Sequence, residues 1–376
     1  MNATPDRSLR IGVKELLQSL VGLSLAVSLL VFALPRITGT TWPQIGAQLS
    51  LVGPVPSVVM LALLLSGLYS YTFTLIAALP GLTHLRALMV NAAGSMVSNL
   101  LPGGGAVGVA LTYLMFRSWG FTRRNISTAL VVTSVWNILA RLVLPVLGAL
   151  VIVIGPVAAP RPVLVAAVVA AVVGVLLIGF FLGVLFSDGF ARDAGNVVAT
   201  LTRPLARRFS RLSNLEQFLA DQRARTDLVV REGWLRLCLG LTGMFGAFFV
   251  LYVVSSRTVG LDLALAELFA AYTFRQFLTV VAITPGGLGV TEVGTAGILV
   301  AFGGDPSAAA AAALLYAVFT HLLEVPLGLA AWLGWWFGPR HREADGQVGN
   351  DLNGGPGSND DSSATPPDGW GGGSAD

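Results

Sequence analysis

Long apolar runs are the feature that most limits how this chain can fold. They cover residues 16–34, 57–79, 126–154, 163–186, 233–254 and 307–337. A helix of about 20 apolar residues crosses a hydrocarbon core of about 30 Å. Charged residues make up only 11% of the chain and its mean hydropathy is +0.75, too few charges to cover a soluble domain of this length. We predict an all-α polytopic membrane protein whose first run is a retained helix rather than a cleaved signal.

Two further apolar regions, residues 87–117 and 262–303, are each interrupted by a Pro-Gly-Gly sequence. A break at membrane depth leaves backbone N–H and C=O groups unsatisfied unless it is buried in protein or lines a polar cavity. The helix after each break begins with free N–H groups that attract anions. The alternative interpretation is a kinked helix whose glycines allow close packing.

Most of the 23 Lys and Arg residues fall in alternate loops. The positive-inside rule therefore places the N-terminus and the C-terminus in the cytoplasm. Arg86 and Arg117 flank the first broken region, so we predict a hairpin that enters and leaves on the cytoplasmic side. The second region should open from the opposite face, either as a hairpin or as two full crossings.

The two halves of the chain, about 55–156 and 233–338, share one order of elements: span, broken hairpin, span. Because the two hairpins should open to opposite faces, we predict an inverted-topology repeat with two Pro-Gly-Gly-broken hairpins. Many alternating-access transporters have this architecture.

Arg141, Arg275, Glu292 and Glu324 lie well inside apolar segments, and Glu267 lies nearer the outer end of one. A charge at mid-bilayer costs at least about 2.5–3.5 kcal/mol, so these groups should face the protein interior. We predict that Arg141 pairs with Glu324 and that Arg275 pairs with Glu292. The charges are either structural ion pairs or part of a central site, in which the arginines bind phosphate and Glu292 gates the site or moves a proton.

The predicted substrate-binding site combines these charges with the two glycine turns. Its residues are Arg141, Arg275, Glu292, Glu324, Gly103, Gly104, Gly105, Pro285, Gly286, Gly287 and Gly289. We predict no catalytic residue, because no nucleophile–base pair is visible in the sequence.

No metal or other cofactor is predicted. The single cysteine, Cys238, and three scattered histidines do not form a metal site, and the pair His321 and Glu324 lacks further ligands. Gly103-x-Gly105-x-x-Gly108 spells a dinucleotide fingerprint, but no strand pattern precedes it. No nucleic-acid partner is expected, because the basic residues border membrane spans.

The membrane domain should cover residues 1–342. Its basic connector, 188–232, has leucines and arginines at helical spacing, which indicates an interfacial amphipathic helix or a cytosolic helical connector. Residues 343–376 are rich in Gly, Ser, Asp and Pro, a composition typical of a disordered acidic tail.

The sequence Pro285-Gly286-Gly287-Leu288-Gly289-Val290-Thr291-Glu292 resembles the Pro-Gly-Gly-x-Gly-x-x-Glu signature of the lysylphosphatidylglycerol synthase transmembrane, or flippase-like, family. The stretch from Asn91 to Pro145 resembles that family's first repeat. The resemblance implies movement of an aminoacylated or other anionic-headgroup lipid between leaflets. Some members also carry a soluble aminoacyl-transfer domain, which has no counterpart here, so lipid aminoacylation is not expected.

The leading prediction is therefore a non-enzymatic translocase of an anionic or phosphate-bearing lipid in the plasma (inner) membrane. One alternative is a membrane partner of a separate lipid-modifying or polyprenyl-glycosyl transferase. Another is a secondary transporter of a small anion. A cavity that opens sideways to lipid would favour the translocase, and a closed central pocket would favour the anion transporter.

Overall fold

The computed structural model describes residues 13–101, 104–155, 157, 159–187, 189–190, 215–280 and 284–338. Within these ranges the chain is helical and contains no strand. The helices are α1 (Val13–Ser28), α2 (Leu34–Thr38), α3 (Trp42–Leu49), α4 (Pro54–Ala78), α5 (His84–Leu100), α6 (Gly104–Ser118), α7 (Arg123–Ile154), α8 (Arg161–Phe186), α9 (Leu215–Thr258), α10 (Leu265–Val280), α11 (Val290–Ala301), α12 (Pro306–Ala317) and α13 (Glu324–Phe337). Short π-helical segments join α1 to α2 and α12 to α13.

Six candidate spans are long and apolar enough to cross a membrane within the described residues. They are Leu20–Thr38, Pro54–Ala78, Arg123–Ile154, Arg161–Gly183, Val229–Thr258 and Pro306–Phe337. Each overlaps one of the runs predicted from the sequence. The prediction of an all-α polytopic membrane protein is confirmed.

Polar side chains start several of the helices at the ends of the spans. Thr122 accepts a hydrogen bond from the backbone N–H of Asn125 at the start of α7 (3.2 Å). Asp305 accepts bonds from the backbone N–H groups of Ser307 (3.0 Å) and Ala308 (2.9 Å) at the start of α12. The hydrogen bonds to Asp305, led by the one from the Ser307 hydroxyl, hold its pKa below the usual range. These caps satisfy N–H groups that a helix leaves without intrahelical partners.

The two broken regions form pairs of short helices. The first is α5, of 17 residues, followed by α6, of 15 residues. The second is α10, of 16 residues, a 3₁₀ turn at Pro285–Gly287, and α11, of 12 residues. At about 1.5 Å per residue, the longest of these helices reaches only about 25 Å, short of a full crossing.

Packing between the two halves follows an exchange pattern. Helix α4 packs against α9, its counterpart in the other half. Helix α5 of the first hairpin packs against α13, and α10 of the second hairpin packs against α7. Helix α5 corresponds to α10 and α13 corresponds to α7, so the two contacts are equivalent under exchange of the halves. Such equivalence is expected for repeated units. The inverted orientation of the halves stays a prediction.

Glycines bring these helices into close contact. A Cβ atom at Gly148 of α7 would overlap the hydroxyl of Thr273 on α10. A Cβ atom at Gly328 of α13 would overlap the Ala92 carbonyl and the Met96 side chain on α5. Gly148 lies three residues after Pro145 of α7 and Gly328 lies two residues after Pro326 of α13, so both Pro-containing segments lie at contacts between the halves.

The core lies where α9, α10 and α12 meet. Ala308–Ala313 of α12 are buried, and their small side chains let the neighbouring helices approach. Tyr252, Tyr272 and Tyr316 form a buried aromatic cluster, with ring centroids 5.3 Å apart for Tyr252 and Tyr316 and 5.8 Å for Tyr252 and Tyr272. This cluster supports one wall of the cavity described below.

Two predicted segments lie wholly or partly outside the described residues. Of the connector 188–232, the described part from Leu215 onward is helical and continues into the span of α9. The predicted tail 343–376 lies outside entirely, as do Pro102 and Gly103 of the first glycine turn.

Candidate functional site

A cavity of about 610 Å³ lies among the helices of both halves. Its walls come from α4, α5, α6 and α7 of the first half and from α9, α10, α12 and α13 of the second. The polar side chains that line it are Tyr71, Asn91, Ser95, Ser98, Asn99, Thr112, Thr133, Ser134, Asn137, Arg141, Arg275, Gln276, Thr279, Thr284, Tyr316, Thr320, His321 and Glu324. Ligand pockets in proteins commonly enclose about 300–1,000 Å³.

Arg275 and Glu292 form the ion pair that the sequence predicted. Arg275 Nη2 lies 3.1 Å from Glu292 Oε1, and both residues are buried. The guanidinium also lies over the Tyr316 ring, 4.7 Å from its centroid. Arg275 lines the cavity, whereas Glu292 is not among the lining residues.

Glu292 instead closes the second glycine turn. Its Oε2 accepts a hydrogen bond from the Gly289 N–H (2.6 Å), and its Oε1 accepts one from the Thr291 hydroxyl (2.7 Å). The carboxylate therefore occupies the N-terminus of α11, where the sequence suggested that a substrate anion could bind. In this position Glu292 holds Arg275 and the turn in place.

The prediction that Arg141 pairs with Glu324 is wrong. No ion pair joins them in the described part of the chain; the Arg141 guanidinium donates to Gln276 Oε1 (3.4 Å) and to the Thr279 hydroxyl. Glu324 accepts a bond from Asn99 Nδ2 (3.2 Å). The reason is the exchange packing: α7 and α13 correspond to each other, but each faces the opposite half's hairpin.

His321 links the second glycine turn to the last helices. Its Nε2 lies 3.1 Å from the Gly286 carbonyl oxygen and its Nδ1 lies 3.1 Å from the Thr320 hydroxyl. A π-helical segment, Val318–Leu322, carries this histidine. No cluster of three or more potential metal ligands occurs among the described residues.

The glycine turns contribute unequally to the cavity. Gly104, Gly105 and Gly286 line it. The predicted site residues Pro285, Gly287 and Gly289 are not among the lining residues and are buried beside the turn. Gly103, also predicted, lies outside the described residues.

The cavity has an exposed side between α6 and α7. Among the described lining residues, only Gly105, Val109 and Ser134 are exposed, and they belong to these two helices. Ser134 lies about 16 Å along α7 from its first residue, at about 1.5 Å per residue. Ser134 therefore lies within the candidate span Arg123–Ile154 and not at its end, so the opening lies on the side of the helix bundle.

Sequence reasoning did not include several lining residues in the site. Gln276 and Thr279, the partners of Arg141, and Tyr316, which stacks on Arg275, were not predicted. Gln276 and Thr279 lie within one turn of Arg275 on α10. Their closeness in the sequence to a predicted site residue could have identified them as candidates. Asn91, Asn99 and Asn137 also line the cavity.

These features define a polytopic helical membrane protein with a polar, arginine-containing cavity among its spans. The chain belongs to the lysylphosphatidylglycerol synthase transmembrane family, whose TM region matches residues 19–328. The match confirms the resemblance found in the glycine-turn sequence. No curated protein matches the chain significantly.

Proposed function

We propose that this protein is a lipid translocase that moves an anionic or phosphate-bearing lipid between the leaflets. The observation that carries the proposal is the polar cavity with its sideways opening at Gly105, Val109 and Ser134. A lipid can place its head group in such a cavity while its acyl chains stay in the bilayer. A soluble anion would need no opening at that depth, so the geometry favours a lipid over a small anion.

The charges of the cavity support an anionic head group. Arg141 lines the cavity and is held by the neutral side chains of Gln276 and Thr279. Its charge is thus available to a ligand anion, and a guanidinium binds phosphate oxygens in a two-pronged geometry. Arg275 lies nearby in the same wall, with its charge balanced by Glu292.

The proposed activity is transport without a chemical step. The lining residues offer hydrogen bonds and charge to a head group, and those interactions suffice for binding and release. A separate lipid-modifying enzyme as partner remains the alternative role, and it predicts no lipid movement by the purified chain.

The proposed location is the plasma (inner) membrane with both termini in the cytoplasm. Aromatic and basic residues gather where α5 begins and α6 and α13 end: Arg86 lies over the Trp119 ring (5.2 Å to its centroid), and Trp335 Nε1 donates to Ser118 Oγ (2.8 Å). Trp is enriched at membrane interfaces and Arg on the cytoplasmic side, which supports this orientation.

The orientation predicts the labelling of introduced cysteines in a Cys238→Ser background. Leu85→Cys and Arg123→Cys, before and after the first hairpin, should react with an impermeant maleimide only from the cytoplasmic face. Leu265→Cys, at the start of α10, should react only from the opposite face. Labelling of the first two positions from opposite faces would contradict the hairpin and the inverted repeat.

The function is tested with fluorescent phosphatidylglycerol in sealed proteoliposomes, by the fraction of probe that moves to the protected leaflet. Arg141→Gln should slow transfer about 10- to 100-fold, because hydrogen bonds to charged groups contribute about 1.5–3 kcal/mol. Arg161→Gln, an exposed arginine at the start of α8, is the matched control and should transfer at the wild-type rate. Equal rates in wild type and protein-free vesicles would contradict the proposal.

A further inference from the structure

Glu324 is a buried carboxyl group that the proposed function does not yet use. It is 7% exposed and is the one acidic side chain among the described residues that line the cavity. Its partners on α5 are neutral: Asn99 Nδ2 donates to Oε2 (3.2 Å), and the Ser95 hydroxyl also donates to the carboxyl group. No ion pair joins Glu324 to a basic side chain in the described part of the chain.

The two arginines of the cavity are bound elsewhere. Arg275 Nη2 pairs with Glu292 Oε1 (3.1 Å), and Arg141 donates to two neutral side chains of α10. A carboxylate without a counter-charge is costly to bury, and a bound proton removes its charge. The cavity, of about 610 Å³, is polar and large enough for water, so Glu324 can exchange a proton there.

His321, one turn before Glu324, is the other ionisable group of this wall. Its Nε2 lies 3.1 Å from the Gly286 carbonyl oxygen, and its Nδ1 lies 3.1 Å from the Thr320 hydroxyl. Because both ring nitrogens have partners in the protein, this histidine fixes the second glycine turn and leaves Glu324 as the group that answers to the cavity.

Few other ionisable groups face Glu324 from the neighbouring helices. Tyr316 of α12 is close enough to interact with it electrostatically, and the Tyr316 ring carries the Arg275 guanidinium (4.7 Å to its centroid). Helix α5 packs against α13, and its nearest charged side chain, Arg86, lies about 20 Å along the helix from Asn99. The surroundings of Glu324 on α5 are therefore uncharged.

An anionic head group in the cavity changes the balance at Glu324. A phosphate bound near Arg141 places a second negative charge in the same cavity, and a nearby like charge favours the protonated form of a carboxyl group. The coupling is reciprocal, so a proton on Glu324 also favours binding of the anion. Lipid and proton should therefore occupy the cavity together.

We propose that Glu324 is a proton-binding site that couples lipid movement to proton movement, with one proton and one singly charged anionic lipid carried in the same direction. This inference rests on the proposed function. The carboxylate takes a proton from water on one side of the membrane, and the proton returns to water on the other side when the lipid leaves. The two charges cancel, so transport responds to a pH difference and not to the membrane potential.

The test uses the full chain in sealed proteoliposomes with fluorescent phosphatidylglycerol and measures the final distribution of the probe between the leaflets. A pH difference of one unit should concentrate the probe in the leaflet on the alkaline side, by up to about tenfold for one proton per lipid. A potassium diffusion potential at equal pH should leave the two leaflets equally labelled.

Glu324→Gln keeps an acceptor for Asn99 but cannot bind a proton, so it should label both leaflets equally under the pH difference, whatever its transfer rate. Glu267→Gln is the matched control. Glu267 lies near the start of α10, outside the lining, where its Oε2 accepts from the Ala264 N–H (2.8 Å), and the amide keeps that acceptor. The control should concentrate the probe as wild type does.

If Glu324→Gln does not transfer the probe at all, Glu324→Asp decides, because it keeps a carboxyl group and should concentrate the probe on the alkaline side. Failure of Glu324→Asp to do so would then overturn the assignment of the proton site.

Four other results would overturn the inference: equal labelling by wild type under the pH difference, accumulation on the acidic side, accumulation by Glu324→Gln, and accumulation driven by a sodium gradient or a potential at equal pH. In each of these the probe still crosses the membrane, so the proposed function would survive. Transfer by wild type no faster than in protein-free vesicles would overturn both.

Discussion

The two broken hairpins contain the same Pro-Gly-Gly sequence but differ in how their turns are packed. In the first, Gly104 and Gly105 line the cavity, and a Cβ atom at Gly105 would meet nothing within 4 Å. In the second, Gly289 is buried with φ +84°, and a Cβ atom there would lie 2.8 Å from the Ala26 carbonyl oxygen of α1. Gly105 of the first turn is therefore open on its side-chain face, whereas Gly289 after the second turn is enclosed by protein.

The acidic residue after the second turn explains much of this difference. Glu292 binds the Gly289 N–H and Arg275, so the N-terminus of α11 is closed by the chain itself. No acidic residue follows the first turn at the corresponding place, where Gly108 and Val109 stand. One motif therefore serves two purposes: the second hairpin fixes Arg275 in the cavity wall, and the first leaves space for a ligand. The predictions below test this division.

The largest expected effect is that of removing the Glu292 carboxylate, which holds Arg275 and the second glycine turn in place. Glu292→Ala leaves Arg275 buried without its counter-charge, which should lower the free energy of unfolding by about 3–5 kcal/mol. Thermal unfolding of the detergent-solubilised protein measures it. Asp262→Ala removes the partner of the exposed Arg257 and should leave the melting temperature unchanged, because exposed ion pairs contribute little. Equal melting temperatures for the two variants would show that Glu292 does not brace the fold.

A smaller difference in stability is expected between alanine substitutions in the two glycine turns. Gly289→Ala forces a side chain into a positive-φ conformation and against α1, and such strain costs about 1–3 kcal/mol. Gly105→Ala should leave stability near wild type, since its site is open and helical. The same melting experiment compares them. A Gly105→Ala protein as unstable as Gly289→Ala would remove the distinction between the turns.

The smallest effect concerns how the second hairpin is held against the first half. Gly148→Ala places a methyl group against Thr273 of α10, and overpacking of this kind costs about 1–3 kcal/mol, at the low end here because the threonine can change rotamer. Gly246→Ala, on α9 with open space around it, should be neutral or slightly stabilising. If Gly148→Ala were equally neutral, close contact between α7 and α10 would not be required.

Periodicity and length predicted the fold well because a span is a local property of the sequence. The predicted span 57–79 corresponds to Pro54–Ala78, and the breaks at Pro102 and Pro285 separate pairs of short helices. The pair Arg275 and Glu292 was also predictable, since both belong to one hairpin and a buried charge needs a nearby partner.

The rest of the site depends on how distant helices pack, which the spacing of residues does not specify. Arg141 and Glu324 occupy the corresponding helices α7 and α13 of the two halves. Corresponding positions in a repeat need not be close in space, so the predicted pair was wrong. Each charge faces the other half's hairpin, so Arg141 meets Gln276 and Glu324 meets Asn99. The exposed side of the cavity likewise depends on how α6 and α7 pack, since Gly105, Val109 and Ser134 belong to these two helices.

The most direct test of the account is to block the opening without touching a charged residue. Ser134→Trp places an indole at the exposed edge of the cavity, and Ile138→Trp places one a single turn along the same face of α7, outside the lining. Transfer of fluorescent phosphatidylglycerol is then measured for both variants in proteoliposomes. The account predicts that Ser134→Trp falls to the rate of protein-free vesicles while Ile138→Trp transfers lipid as wild type does. Wild-type transfer by a well-folded Ser134→Trp protein would show that lipid does not pass between α6 and α7.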